Sequence, residues 1–418
     1  MNTKPGLLVL SHQLLSMVAP LLQSLSAQGM ECYVLSSRSA RGMTPPWLNQ
    51  VAKVEITQGY ALTEADVTAC IARLQSKTHL VGCLSVWDGY RNLMASANRM
   101  LGAVDLQEET VQLLRDKYRM RQRLLECGLS RISTRLLTRS SFQALVEPDR
   151  YFIKPRVGLA SLGAFRASTL SDPDALLPLW QAACNDDAYA GVFSGEPEFI
   201  IEDLIEGQEC CFEVTLNDGI ATVHGIHEKL DVLQQRFTVL ENACVCPPRS
   251  LCEEVQTQGT RYVSACLSAL GATTGLFHVE AKYHPSLGWE LIEINPRVGG
   301  AYILDSIKHH AGVDLLTHWI ALLQGKPLPT PPAPLRRSFF RVFFGQAGRT
   351  VQHLQRGVTP GEARVLDERL FIQEGETLPQ VEREIFIGQV LWDITHLPPE
   401  QHEAFFTASQ QHFHVEYQ

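Results

Sequence analysis

The chain opens on short apolar runs that alternate with helical periodicity. Leu7 to Leu10 is continuously apolar and predicts a buried strand; Leu14 to Ala27 repeats apolar residues at helical spacing up to Gly29; Glu31 to Ser36 is apolar again. The pattern returns with a strand over His79 to Ser85 and a helix from Asn92 to Leu101 that stops at Gly102. Strands alternating with helices predict a doubly wound parallel sheet, in residues 1–110.

A long helix is predicted from Glu108 to Cys127, with Val111, Leu114, Tyr118 and Leu125 on its apolar side and Gly128 as its stop. Beyond it the texture turns to α+β: extended runs at Tyr151 to Lys154, Phe199 to Asp203, Cys211 to Leu216 and Ala221 to Ile226, then a helix from Glu253 to Leu270. Pro327 to Pro334 holds five prolines and reads as a stiff linker. Ser338 to Phe344 and Ile385 to Thr395 follow as a small β-rich closing subdomain. The expected division is 1–110, 111–198, 199–330 and 331–418.

Phe277 to Arg297 carries the most chemistry. It reads as a hairpin whose turn, centred between Ser286 and Leu287, sets Glu280 opposite Glu293. With a side-chain period of two, His278, Glu280 and Lys282 share a polar face with Glu293 and Asn295, while Val279, Ala281, Ile292 and Ile294 take the apolar face. Opposed Cβ atoms lie about 4.5 to 5.5 Å apart and like charges so placed destabilise a sheet, so a cation is expected between the two acids. Carboxylate and carboxamide oxygens are hard ligands suited to magnesium carrying a nucleotide phosphate. The plainer reading is a solvated face with Lys282 neutralising a glutamate. Against it stands Asn295-Pro296-Arg297-Val298-Gly299-Gly300, which adds a third oxygen ligand, a strand stop, an arginine fork for phosphate and glycines for close backbone approach.

Composition narrows the partners. The 418 residues include 36 Lys and Arg against 45 Asp and Glu, a net charge of −9 that disfavours nucleic acid. Arg336-Arg337-Ser338-Phe339-Phe340-Arg341 mixes basic and aromatic residues, yet in an acidic chain it reads better as an edge strand. Eleven cysteines without a CxxC pair predict reduced thiols and a cytoplasmic setting, and neither Cys210-Cys211 nor Cys244 with Cys246 has zinc-site spacing. The apolar run at the start is too short for a signal peptide or a membrane span.

Phosphates need cations and backbone N–H groups, but Gly158 to Gly163 is followed by Ala164, so no P-loop is present. Instead Lys154 ends a strand ahead of a small-residue loop of Gly158, Ala160, Ser161 and Gly163 that could fold over phosphates; a plain turn uses the same residues. Phe199 to Glu209 is an apolar strand, an acidic crossover and a glycine, an edge able to bind adenine or simply to connect two strands. Trp87-Asp88-Gly89-Tyr90 lies beyond a strand's carboxyl end, where open α/β sheets bind ligands.

In this order the segments resemble the ATP-grasp superfamily, most closely carboxylate-amine ligases of the L-amino-acid ligase and dapdiamide synthetase type, over roughly Leu101 to Gly325. The resemblance implies a two-subdomain fold that clasps ATP. Lys117, Lys154 and the Ser161 loop would meet the phosphates, Glu202, Leu204 and Ile205 the adenine, and Glu209 the ribose. Glu280, Glu293 and Asn295 would hold two magnesium ions, for which manganese can substitute, and Arg297 with Lys154 would be catalytic. Glu241, Arg297 and Gly300 would meet substrate, although Cys244 stands where such ligases commonly have histidine. The implied reaction joins an amino acid or acyl amino acid carboxylate to an amino acid amine through an acyl phosphate, releasing ADP and phosphate. Small-molecule amino acids are the expected partners, with no nucleic acid or membrane, in a homodimer. His224, His227, Glu228 and His278 are candidates for the base. The rival readings are a carboxylase or phosphoryl-transfer relative, and a nucleotide-binding protein without catalysis.

Overall fold

Every residue of β1 (Gly6–Ser11) is buried, because both faces of its sheet are covered. Leu7 and Val9 pack with Val18, Leu21 and Leu25 of α1 (Val18–Ala27), whereas Leu8 and Leu10 pack with Val67, Ile71 and Leu74 on the other side. That two-sided burial is why the run is continuous rather than alternating. The computed structural model describes residues 4–418 except Ser16, Arg41, Met43, Ser194, Pro360, Glu382 and Arg383. β1 pairs in parallel with β2 (Glu31–Ser36), which pairs with β3 (Lys53–Ile56), and on its other side with β4 (Leu80–Leu84). The parallel sheet is the one expected, with two differences. Helix α1 begins four residues later than the periodicity suggests, since Gln13 and Leu14 adopt φ of 51° and 64° and give their N–H groups to Ser37 and Ser36. Strand β3 and helix α2 (Glu64–Gln75) went unread, although Thr63 and Asp66 form a reciprocal cap at the start of α2.

Helix α3 (Arg91–Leu101) ends on Gly102 in the left-handed conformation, as expected. The predicted long helix is instead two, α4 (Glu108–Arg115) and α5 (Lys117–Glu126). Asp116 breaks it: its backbone is extended and its carboxylate accepts the Arg119 N–H, capping α5. Lys117 thereby becomes the first helical residue, anchored through its own N–H to the Arg156 carbonyl at 3.0 Å.

Among the described residues two main antiparallel sheets follow, with a separate two-stranded one. The smaller contains β5 (Thr134–Leu136), β6 (Tyr151–Pro155), β7 (Phe165–Arg166) and β8 (Phe199–Asp203) in the order β5-β8-β6-β7. The larger begins with β9 (Gln208–Asn217), β10 (Ile220–Gln234), β11 (Val239–Cys246), β12 (Gly275–His284) and β13 (Gly288–Asn295). It continues through β14 (Ser338–Gly345), β16 (Arg364–Leu370) and β17 (Ile385–Asp393), while β15 (Val351–Arg356) pairs with β18 (Phe413–Tyr417). Its order is β13-β12-β9-β10-β11-β14-β17-β16. The C-terminal strands are therefore built onto the central sheet through β11 and β14, with a core of Phe339, Trp392, Phe405 and Phe413. The expectation of an edge strand at Arg336 to Arg341 fails here: β14 is paired on both sides, and Arg341 is buried against Asp231.

Candidate active site

The cleft lies between the two antiparallel sheets. The residues assigned to ligands in the sequence all line it except Gly300: Lys117, Lys154, Ser161, Glu202, Leu204, Ile205, Glu209, Glu241, Glu280, Glu293, Asn295 and Arg297. Gly300 is exposed, and a Cβ built there meets nothing; Gly299 instead packs tightly on His278 and Ile303 as the chain turns into the helix Ile303–Ala311. Its neighbour Ala301 takes the strained φ of 50°. Along one wall, Ala160 and Ser161 of the flap both have φ of 55°, and Gly163 donates its N–H to the Phe237 carbonyl of the β10–β11 hairpin at 2.8 Å. Left-handed backbone at two residues with side chains is costly and marks the flap as a held conformation.

Glu280 faces Glu293 across β12 and β13, as the register argument requires, but by a different route. The turn is one residue tighter than expected, with His284 opposite Gly288, and a bulge between Glu280 and Ala281 restores the register at the acids. The bulge also turns Ile292 to the cleft, contrary to the expectation that it packs on the apolar face, and its carbonyl accepts from Lys154 Nζ at 3.4 Å. Val279, Ala281 and Ile294 stay buried in the core behind, with Leu291.

Among the described residues, each of the two acids has its own side-chain cation. Glu293 Oε2 lies 3.0 Å from Lys117 Nζ, and Glu280 Oε2 lies 2.7 Å from Lys229 Nζ. Burial pushes Lys117 down, but Glu293 beside it, together with Asp88 and Glu280, outweighs this and holds it above its ordinary value. Lys154 goes the other way: burial lowers it more than its 2.5 Å contact with Glu202 raises it, with Arg121 close by. Lys229 also reaches Glu209 at 2.8 Å and Glu241 at 2.5 Å. Burial raises and the lysine lowers each of these acids, and the balance differs. Glu280 is held well below the usual range by Lys229 and His278, whereas Glu241 is pushed up to about 7. Three acids sharing one ammonium cannot all ionise freely.

None of the four candidate bases suits the role. His224 bonds Thr215 and His227 bonds Ser306, both buried outside the cleft, where burial pushes them down to about 4 and about 3. Glu228 is buried and accepts the N–H groups of Arg249 and Ser250. His278 is raised to about 10 because Glu213, 2.5 Å away, and Glu280 outweigh its burial, so it already carries its proton at neutral pH.

Several site residues were missed. Lys229, buried behind the cleft against Glu209, Glu241 and Glu280, sits on β10 beyond the part of that strand the sequence pattern made visible. Arg121 is one turn on from Lys117 in α5, so helical spacing alone sets them on one side; it is buried against Glu290 at 2.7 Å and lies 3.6 Å from Glu202. From the parallel-sheet domain, Asp88 is buried beside Arg115 at 3.0 Å and Arg297 at 3.6 Å, while Trp87 stacks on His12 at 4.3 Å. Thus Asp88 of the Trp87 to Tyr90 loop is brought against the cleft residue Arg297. Cys244 is buried behind the cleft with Cys211, Tyr302 and Phe340.

An acid pair across a hairpin, lysines on facing walls and a strained flap form one arrangement, and residues 149–305 match the ATP-grasp domain family. The chain carries an ATP-grasp domain. It is 28% identical over 266 residues to carnosine synthase 1 of Gallus gallus, covering 60% of this chain and 28% of that protein. The chain thus spans less than a third of that relative. Among solved structures, an L-amino acid ligase from Bacillus licheniformis superposes with a TM-score of 0.80 over 100% of both chains at 19% identity. A phosphoribosylglycinamide synthetase from Anaerococcus prevotii gives 0.70 at 13% identity, covering 99% of this chain and 100% of that one. At such identity these likenesses establish the fold.

The donor set of the cleft suits magnesium. Glu280 and Glu293 are register partners that both face the cleft, and Asn295 lies two residues along the same face, its amide 3.0 Å from Glu293 Oε1. Three oxygen-bearing side chains on one polar face, with Lys117 balancing Glu293, fit a hard divalent cation. No described helix is long and apolar enough to cross a membrane.

Proposed function

We propose that the protein is an ATP-dependent carboxylate-amine ligase that joins the carboxylate of an amino acid or acyl amino acid to the amine of an amino acid. The observation that carries this reading is the single cleft in which Glu280, Glu293 and Asn295 meet Lys117, Lys154 and Arg297. Leu204 and Ile205 would seat the adenine and Glu209 the ribose. Lys117 and Lys154, each now paired with one carboxylate, would turn to the non-bridging phosphate oxygens.

A carboxylate oxygen of the first substrate attacks the γ-phosphorus; the bond to the β-phosphate oxygen breaks, leaving an acyl phosphate and ADP. The amine then attacks the acyl carbon and gives up a proton, and phosphate departs with the electron pair of the carbon–oxygen bond. Arg297 is suited to the oxygen charge that builds in both steps. Magnesium, held by Glu280, Glu293 and Asn295, would supply charge neutralisation at the phosphates. Water would destroy an acyl phosphate, and the flap over Gly158 to Gly163 supports its exclusion.

The test is release of ADP and phosphate across a panel of amino acids, singly and in pairs. Release that depends on two amino acids supports the ligase; release with bicarbonate alone makes it a carboxylase; binding of nucleotide without release leaves a non-catalytic protein.

A further inference from the structure

Lys229 lies on β10 opposite Cys244 of β11, and 1% of its side chain is exposed. Its ammonium nitrogen is 2.8 Å from Glu209 Oε1, 2.5 Å from Glu241 Oε1 and 2.7 Å from Glu280 Oε2. An ammonium has three N–H donors, and these contacts use all of them. Lys229 therefore has no donor left for a phosphate, which separates it from Lys117 and Lys154. The three acids come from different strands, β9, β11 and β12, and their ligating oxygens all lie within 4.8 Å of one another. Anions that close stay together only around a shared cation.

We infer that Lys229 is a positioning residue that ties the ribose-binding, metal-binding and substrate-binding acids into one constellation, so that nucleotide and amino acid bind as coupled events. The inference rests on the function proposed above, in which Glu209, Glu280 and Glu241 serve those three ligands. The three are unequally dependent on it. Glu209 keeps Lys282 at 3.2 Å and Glu280 keeps His278 at 3.4 Å, whereas among the described residues Lys229 is the one cation paired with Glu241. Loss of Lys229 thus falls hardest on the substrate end.

The test compares wild type with Lys229→Met and Lys229→Arg, using calorimetric titration with ADP, with and without magnesium, and steady-state kinetics with the most active amino-acid pair of the panel. Lys229→Met should raise the KM for an amino acid by at least about fivefold and change ADP affinity less, and Lys229→Arg should recover part of the loss. A fall in melting temperature with both KM values and ADP affinity within twofold of wild type overturns the inference and leaves the ligase reading intact. Should Lys229→Met not fold, Glu241→Gln serves instead: it releases one of the three partners, and ADP affinity should shift although Glu241 is assigned to the substrate. Unchanged ADP binding in that variant overturns the coupling. A wild type that binds no ADP overturns the functional reading and the coupling with it.

Discussion

Arg121 supports the cleft from behind, and its removal is the sharpest structural test. Its side chain is fully buried, with Nη1 2.7 Å from Glu290 Oε1 and Nη2 2.5 Å from the Leu291 carbonyl. Breaking a buried pair by removing one partner costs about 3 to 5 kcal/mol, and an orphaned carbonyl about 1 more. Glu290 would retain Ser130 Oγ at 2.6 Å and the partly exposed Arg131 at 3.5 Å, which returns part of that loss. Arg121→Met should therefore destabilise the domain by about 4 kcal/mol, a drop of roughly 8 to 16 °C in melting temperature for a unit of this size. Adding Glu290→Met removes the stranded acid and should bring stability back to within about 2 kcal/mol of wild type. Urea unfolding followed by fluorescence reads this, since Trp289 is buried next to Glu290. A single variant that loses under 1 kcal/mol, or a double variant no more stable than the single, refutes the reasoning.

Other outcomes follow from the same geometry. Glu293→Gln should fold yet lose at least about 10²-fold in ADP formation, because even the residues that merely orient metal ligands cost up to that much; most activity retained would remove Glu293 from the metal site. Arg297→Ala should raise the barrier by roughly 3 to 4 kcal/mol, read as kcat/KM, and near-normal turnover would contradict its role. His278 is raised from 6.5 to about 10, so its stabilisation is complete below pH 6.5 and is lost as the pH climbs through 10, up to about 5 kcal/mol in all. The melting-temperature gap between wild type and His278→Asn should close from pH 6 to 10; a constant gap would show that the Glu213 pair does not hold the proton. Gly207 has φ of 115°, and a Cβ there would collide with the Tyr283 carbonyl, so Gly207→Ala should shift the crossover between β8 and β9 and raise the KM for ATP; unchanged nucleotide binding would show that the crossover does not shape the adenine pocket.

The hairpin shows how far local pattern reaches. Alternation from Phe277 to Asn295 makes the opposition of Glu280 and Glu293 readable, yet the turn is tighter than expected and a bulge compensates, so the pairing is right at the acids while Ile292 ends on the other face. A bulge answers to the strand's neighbours, and no period announces it. Likewise Leu14 to Ala27 has helical spacing throughout, but Ser36 and Ser37 of the adjoining strand capture the first N–H groups and delay the helix. Asp116 is the reverse case, a helix break with a capping residue in plain view that apolar spacing overrode.

The β-α-β opening, the acid pair and Lys154 ahead of its small-residue loop were legible in the sequence itself, because side-chain period and register are properties of neighbouring residues, whereas Lys117 was expected from a resemblance alone. Which cation each acid meets was decided only by the tertiary structure. Lys229 gathers acids from three strands, Lys117 arrives from a helix, and Asp88 crosses from the parallel sheet to Arg297. Coulomb attraction depends on the distance between groups far apart in the chain, and packing alone sets that distance.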